Sequence, residues 1–273
     1  MLTIREIKAK SIITKSGLPG SDYVINPYVG CMHGCIYCYA RFMKRFTGHK
    51  EPWGKFLDAK INAQELIPQN KKKYQGKSIG ISSVTDPYLP AERKYKLMRG
   101  TLKNLIPLKP DLWILTKSDL IVRDIDLIKQ FKKCIAGVSL SLLDDEIRKE
   151  VEPFASSVRR RINAVKELKK SGIRTEIFIS PIFPELTNWM EIVKRTKNFV
   201  DEFWFENLNV YPTIWPNIKK WLKTHHPNLL NKYEEIYFAP SNYWNRIERE
   251  VKDYGNKNNL NFKIYFHHRK TLA

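Results

Sequence analysis

Three of the four cysteines in this chain lie within eight residues, in the stretch NPYVGCMHGCIYCYAR. Cys31, Cys35 and Cys38 have the spacing Cys-x3-Cys-x2-Cys, and no fourth cysteine is nearby. A closed structural zinc site takes four ligands, so His33 or His49 would have to complete a Cys3His set. Three thiolates without a fourth ligand also suit a [4Fe–4S] cluster with one iron left open. The spacing therefore predicts a metal centre of one of these two kinds.

Composition and charge restrict the kinds of protein that this chain can be. Of its 273 residues, 42% are hydrophobic and 12% aromatic, as in a folded globular protein. We find no apolar run near the ~20 residues that cross a bilayer, and the charged N-terminus is unlike a signal peptide. Clustered thiols are also unlike a disulfide framework. We therefore expect a cytoplasmic protein with no membrane part.

The charge is strongly basic, with 48 Lys and Arg against 28 Asp and Glu and a formal net charge of +20. Such an excess favours a polyanionic partner such as DNA or RNA. The many Lys, Ile and Asn residues fit an AT-rich coding bias equally well. Charge alone therefore leaves the partner open.

Short apolar runs alternate with amphipathic, charged stretches along most of the chain. Runs of this length are typical of buried strands in a parallel sheet. Six β-then-α units predict an α/β fold, whose ligands bind at the C-terminal ends of the strands. The six runs are residues 23–29, 78–84, 112–118, 135–143, 175–182 and 202–210.

The segments on either side of these units differ from them. Residues 1–20 are predicted to form a basic N-terminal arm, followed by the main domain at 21–210. Residues 211–273 contain prolines and tryptophans, then a helical pattern and one short strand. We predict that they form a C-terminal extension packed on the main domain.

The cysteine motif, Cys31-x3-Cys35-x-Tyr37-Cys38, resembles the signature of the radical S-adenosylmethionine (SAM) superfamily. Its longer context is similar to the branch that includes spore photoproduct lyase and DNA repair photolyase-like proteins. The resemblance covers about residues 22–210. It continues through four motifs: TDPYLPAE (85–92), TKSDLIVRDIDLI (116–128), VSLSLLDDEIRKEVEP (138–153) and SPIFPELTN (180–188).

This resemblance implies a partial (β/α)6 barrel and a radical SAM enzyme. Cys31, Cys35 and Cys38 would each bind one iron of a [4Fe–4S] cluster, and SAM would occupy the fourth iron. An electron from a flavodoxin- or ferredoxin-type donor would then cleave SAM to methionine and a 5′-deoxyadenosyl radical. That radical abstracts hydrogen from a substrate, which is cofactor chemistry that the protein positions.

The resemblance also implies a SAM site at the strand ends. Backbone groups near Tyr37 would meet the adenine, and Ser83, Thr85 and Asp86 would lie at the SAM amino group. The same SSVTDPY stretch could be only a capped turn. Lys117 would pair with the SAM carboxylate, although it could also be one of many surface lysines.

Four further positions complete the implied site. Ser139 and Ser141 lie on one face of the fourth run and could reach the SAM ribose, or could fill the interior of a narrow barrel. Ser180 and Pro181, at the end of the fifth run, would shape the adenine pocket.

The sequence departs from spore photoproduct lyase at the residue that returns hydrogen to the product. That enzyme has a cysteine near the end of the second strand, where this chain has Ser83. A serine O–H bond is too strong for this role, and Cys134 precedes the fourth strand, at the other end of the barrel. Hydrogen could return from a tyrosine such as Tyr88, or SAM could be consumed.

Several charged residues have simpler explanations. We predict structural ion pairs for Glu92, Arg99 and Arg123, and a solvated helix start at residues 159–161. The histidine pairs at 225–226 and 267–268 are predicted to be surface or packing residues.

Three functions follow in order of preference. The first is a radical SAM enzyme that acts on DNA, RNA or a nucleotide-containing substrate. The second is a radical SAM enzyme that acts on a peptide or small metabolite. The third is a zinc-stabilised nucleic-acid-binding protein without catalytic activity.

Overall fold

The computed structural model describes residues 2–18 and 20–267. Its strands are β1 Thr3–Ile7, β2 Ile13–Lys15, β3 Tyr23–Ile25, β4 Tyr28–Val29, β5 Phe56–Lys60, β6 Ser78–Ile81, β7 Asp111–Thr116, β8 Lys133–Ser139, β9 Arg174–Ile182, β10 Glu202–Asn207 and β11 Phe262–Ile264. The main sheet has the order β11-β10-β9-β8-β7-β6-β3-β2. Its neighbours from β3 to β11 are parallel, and β2 is antiparallel to β3.

The helices lie between the strands and after them. They are α1 Lys71–Tyr74, α2 Glu92–Tyr95, α3 Leu97–Leu105, α4 Ile125–Ile128, α5 Asp145–Val151, α6 Val158–Lys170, α7 Trp189–Thr196, α8 Trp215–His225, α9 Leu230–Phe238 and α10 Tyr243–Lys257. Each of the six predicted runs contributes a strand, β3 and β6–β10, to the parallel sheet. The predicted α/β fold, a partial barrel of parallel strands, is confirmed.

The residues of one strand divide between the two faces of the sheet. In β7, Leu112 and Ile114 are buried, and they join a core cluster with Leu102 of α3 and Leu168 of α6. The alternate residue Trp113 is half-buried on the other face. Its indole stacks on Trp204 of β10, with ring centroids 5.2 Å apart. Helices therefore cover one face of the sheet, while the other encloses the barrel interior.

Helix α6 begins and ends as its sequence pattern predicts. The Ser157 side chain accepts a hydrogen bond from the backbone N–H of Arg160, which caps the helix. Val158, Val165 and Leu168 are buried on one stripe. Gly172, just after the helix, has a φ of +79°.

The N-terminal segment supplies strands to two sheets. β1 pairs with β5, which also pairs with β4, and this three-stranded sheet leads directly into the cysteine loop. At the other end of the chain, β11 pairs with β10 in the main sheet. The domain boundaries at residues 20 and 210 remain a prediction. In the described part of the chain, none of the helices has the length and apolarity needed to span a membrane.

Candidate active site at the strand ends

The loop with the three cysteines starts directly after β4 and is shaped by glycines. Gly30 has a φ of +85°, and a Cβ there would lie 2.6 Å from the Phe56 carbonyl oxygen. Gly34 has a φ of +67°, and a Cβ on the adjacent Gly54 would lie 2.7 Å from its Cα. A side chain is strained at such φ values, and one at Gly30 or Gly54 would also lack space. The loop is therefore held in a tight bend.

This bend gathers the three thiols in a protected place. Cys31 and Cys35 are buried and Cys38 is half-buried. Burial raises the pKa of all three, and the nearby Asp86 and Glu152 raise those of Cys31 and Cys35 further. Thiols of this kind bind metal by giving up their protons. The three soft donors and the flexible glycine backbone fit the three protein ligands of a [4Fe–4S] cluster.

The two histidines that could complete a zinc site contact carboxylates and a backbone carbonyl. His33 Nε2 lies 3.2 Å from Asp86 Oδ2, and its Nδ1 lies 3.2 Å from the Phe154 carbonyl oxygen. His49 Nε2 lies 2.8 Å from Asp58 Oδ1. Within residues 2–18 and 20–267, neither histidine joins the cysteines in a group that could hold a single metal ion. This geometry does not favour a Cys3His zinc site.

The predicted contacts at the end of β6 are used largely within the protein. Thr85 Oγ1 donates to the Gly30 carbonyl at 2.5 Å, which ties this segment to the start of the cysteine loop. The Asn26 side chain donates to Ser83 Oγ at 3.3 Å. Ser83 also accepts, through its carbonyl, a hydrogen bond from the Tyr39 hydroxyl. Ser83 and Thr85 therefore lie beside the cysteine loop.

Asp86 is buried, and its carboxylate accepts several protein hydrogen bonds. The Thr116 hydroxyl donates to Oδ1 at 2.6 Å, and the Lys117 N–H donates to Oδ2 at 2.8 Å. Although burial opposes it, the interaction with His33 and these hydrogen bonds lower the pKa of Asp86 to about 2. Asp86 therefore joins the ends of β6 and β7 to the cysteine loop.

A chain of polar contacts crosses the ends of the next strands. Lys117 Nζ donates to Ser139 Oγ at 2.9 Å, and that hydroxyl donates to the Ser180 carbonyl at 3.1 Å. Ser180 Oγ donates to Glu206 at 2.5 Å, and His267 Nε2 lies 3.1 Å from the same carboxylate. We call these five residues the strand-end rim. It joins the predicted Lys117, Ser139 and Ser180 to two residues that sequence analysis did not select.

Two predicted positions contribute less to this rim. Ser141 is buried, and its hydroxyl has no hydrogen-bond partner among the described residues. Pro181 follows Ser180 through a cis peptide bond. His268, part of the second predicted histidine pair, lies outside the described residues.

Tyr37 is held by a buried ion pair. Its hydroxyl donates to Glu152 Oε1, and Arg161 donates to Glu152 Oε2 at 2.6 Å. Lys117 Nζ lies 5.7 Å from the centre of the Tyr37 ring. Burial lowers the pKa of Lys117, but the negative groups around it, Glu152 first, together outweigh burial and raise that pKa. Lys117 therefore carries a positive charge beside the cysteine loop.

The prediction that residues 159–161 form a solvated helix start is wrong for Arg161. Its side chain is fully buried, whereas Arg159 and Arg160 are exposed. The helical spacing could have indicated this burial. Arg161 lies three residues after Val158 and four before Val165, on the buried stripe of α6. Glu152 was missed because only the fold brings it to Tyr37.

The predicted structural ion pairs are confirmed. Arg123 lies 2.6 Å from Glu92 and 2.7 Å from Asp124, and Arg99 lies 2.9 Å from Asp124. Tyr88 is fully buried in the core cluster between the sheet and its helices. This burial does not favour Tyr88 as a residue that returns hydrogen to a substrate.

The family model described as the radical SAM superfamily matches residues 25–195, which include the cysteine loop and the ends of β6–β9. An uncharacterised protein of Methanocaldococcus jannaschii is 42% identical over 209 residues, 77% of this chain and 79% of that protein. The chain belongs to the radical SAM superfamily, and it is therefore a radical SAM enzyme.

Two further similar proteins have names that state an activity. A Pseudomonas phage M6 protein, named radical SAM Nalpha-GlyT isomerase, is 27% identical over 168 residues, 61% of this chain and 34% of that protein. Spore photoproduct lyase, solved with dinucleoside spore photoproduct, has a TM-score of 0.70 at 16% identity, covering 97% of this chain and 82% of that chain. At this identity, the structural likeness shows a shared fold.

Proposed function

We propose that this enzyme holds a [4Fe–4S] cluster on Cys31, Cys35 and Cys38 and acts on DNA, RNA or a nucleotide-containing substrate. When bound, the cluster and SAM supply reductive cleavage of SAM and a 5′-deoxyadenosyl radical that abstracts hydrogen. The observation that carries the proposal is that three protected thiols and the strand-end rim lie at the same edge of the sheet. Cytoplasmic location remains part of the same proposal.

In this proposal, the side chains around the thiols bind and position SAM. Lys117 carries a positive charge and would pair with the SAM carboxylate. Asp86 is already bonded to Thr116 and to the backbone of Lys117, so it would position these groups. Backbone groups and hydroxyls of residues 83–85 would then meet the amino group. Ser139, Ser180 and Pro181 would line the nucleoside part, and the burial of the thiols would exclude water.

Support for a nucleic-acid substrate comes from charge and from one structural neighbour. The net charge of +20 favours a polyanion. The structural neighbour is spore photoproduct lyase, which was solved with dinucleoside spore photoproduct. A peptide or small metabolite is the competing substrate class.

The test is to add single-stranded DNA, RNA and heparin to the anaerobic, reconstituted enzyme with SAM. We expect binding of DNA or RNA to weaken steeply as salt rises, because phosphate contacts release counterions. We also expect one of the nucleic acids, but not heparin, to raise the yield of 5′-deoxyadenosine several-fold. If all three polyanions bind alike and none raises the yield, the nucleic-acid proposal is wrong.

A further inference from the structure

The solvent side of the cysteine loop is closed by a short backbone clasp, formed by residues 151–154. The Ile36 N–H donates to the Val151 carbonyl at 3.0 Å, and the Phe154 N–H donates to the His33 carbonyl at 3.3 Å. Glu152 points inward and is buried, whereas Pro153 and Phe154 are exposed. The exposed fraction of Phe154 is 50%.

The Phe154 ring lies directly against the cysteine loop. A Cβ built on Gly34, the residue before Cys35, would lie 3.7 Å from Phe154 Cδ2. Lys55 Nζ lies 5.1 Å from the centre of the same ring. Lys55 is exposed and follows Gly54, which packs on Gly34. An exposed aromatic–cation pair therefore stands between solvent and the thiol loop.

The segment that leads from Cys38 to Lys55 is basic and carries further exposed aromatic rings. Residues 39–55 contain five Lys or Arg and one acid, Glu51. That acid lies 3.2 Å from His49 Nδ1. Phe42 and Phe46 are exposed, and the Arg45 guanidinium lies 5.4 Å and 4.7 Å from the centres of their rings. The surface beside the thiols is thus positive and partly apolar.

We propose that the face formed by Lys55, Phe154 and the basic segment 39–55 docks a small acidic protein that carries a one-electron centre. This inference rests on the proposed function, because a bound [4Fe–4S] cluster must receive an electron. On docking, the partner loses one electron and the cluster gains it, with no bond made or broken. Charge complementarity would speed the encounter, and the exposed rings would supply apolar contact.

A nucleic acid would also be attracted to this charge. The donor is favoured because the Lys55–Phe154 pair lies against the cysteine loop at Gly34, the residue before Cys35. A substrate, by contrast, must reach the strand-end rim, where Lys117, Ser139 and Glu206 lie.

The test compares Lys55→Glu and Phe154→Ala with the wild-type holoenzyme, using a flavodoxin as the probe. The affinity of the complex is measured at several salt concentrations, and cluster reduction is followed by electron paramagnetic resonance. We expect Lys55→Glu to weaken flavodoxin binding and slow flavodoxin-driven reduction by about tenfold or more. Phe154→Ala should weaken binding by several-fold. Dithionite, a small reductant that needs no docking face, should reduce the variants as well as it reduces the wild type.

Lys166→Glu is a matched control. Lys166 is on helix α6, and its Nζ also lies 5.1 Å from the centre of an aromatic ring, that of Phe199. This variant should bind flavodoxin like the wild type. The inference is overturned if Lys55→Glu behaves like Lys166→Glu, if dithionite reduction fails together with flavodoxin reduction, or if only nucleic-acid affinity falls. A wild type that makes no 5′-deoxyadenosine even with dithionite would instead contradict the proposed function.

Discussion

Arg161 shows how one buried side chain can organise the surroundings of the thiols. Its guanidinium donates to the Ser139 carbonyl at 2.7 Å, to the Ser156 carbonyl at 2.9 Å and to Glu152 at 2.6 Å. Glu152 in turn accepts a hydrogen bond from the hydroxyl of Tyr37, the residue before Cys38. A buried charge is tolerated only when it is paired and hydrogen-bonded in this way.

Removing one member of this pair should be costly. Arg161→Met leaves Glu152 buried without its partner, and we expect a loss of about 3–5 kcal/mol in the free energy of unfolding. The double variant Glu152→Gln/Arg161→Met should recover part of that loss, since the Glu152 carboxylate is then neutralised as well. Urea denaturation measures both.

Arg160→Met is the control for this prediction, because the Arg160 side chain is 52% exposed and pairs with Asp119 at the surface. Its effect should stay within about 1 kcal/mol. If Arg161→Met costs no more than Arg160→Met, the buried pair does not stabilise this region.

At the scale of elements, the ends of β7–β10 form the strand-end rim, while their starts enclose an apolar interior. Glu176, near the start of β9, lies in that interior. Its Oε2 accepts the Trp113 indole N–H at 3.1 Å, and its Oε1 has no partner among the described residues. Burial raises the pKa of Glu176 to about 8, against the opposing hydrogen bond from Trp113. The carboxyl is therefore protonated in the folded enzyme at neutral pH.

This raised pKa predicts a pH-dependent stability. The unfolded chain loses the Glu176 proton near pH 4.5 and the folded chain near pH 8, so the folded state binds more protons between these values. Stability should fall across this range by up to about 1.4 kcal/mol per pH unit. Glu176→Gln should therefore gain stability relative to the wild type as the pH rises, measured by urea denaturation at both ends of the range.

Glu202, opposite Glu176 on β10, is a control of opposite sign. Although burial opposes it, Lys263 and Trp204 lower the pKa of Glu202, so its ionised form stabilises the fold. Glu202→Gln should lose stability relative to the wild type as the pH rises toward about 4.5, and its difference from the wild type should stay constant between pH 4.5 and 8. A constant difference for Glu176→Gln across the pH range would contradict the assignment of a protonated carboxyl.

Much of this architecture follows from local patterns. The parallel strands were predictable because continuous apolar runs have few alternatives to a buried sheet. The cysteine loop was predictable because its ligand spacing is local in sequence. The rim was only half predictable, since the pairing of β9, β10 and β11 brings Glu206 to Ser180 and His267 to Glu206. No periodicity along the chain reports such a contact.

At the scale of the whole molecule, both ends of the chain contribute to the barrel. β2 extends one edge of the main sheet, and β11 extends the other and brings His267 to Glu206. The chain has a net charge of +20, which composition alone could not assign to one partner. Under the docking proposal, the part of this charge that lies beside the cysteine loop attracts the electron donor.

The most direct test of the account is the formation of 5′-deoxyadenosine by the reconstituted enzyme with dithionite and SAM under anaerobic conditions. The wild type should be brown and should make this product. Cys35→Ala should lose the cluster colour and product formation together, whereas Cys134→Ala should keep both, because Cys134 lies near the start of β8. A colourless wild type that binds zinc and makes no product, or a Cys35→Ala variant that still makes it, would contradict the account.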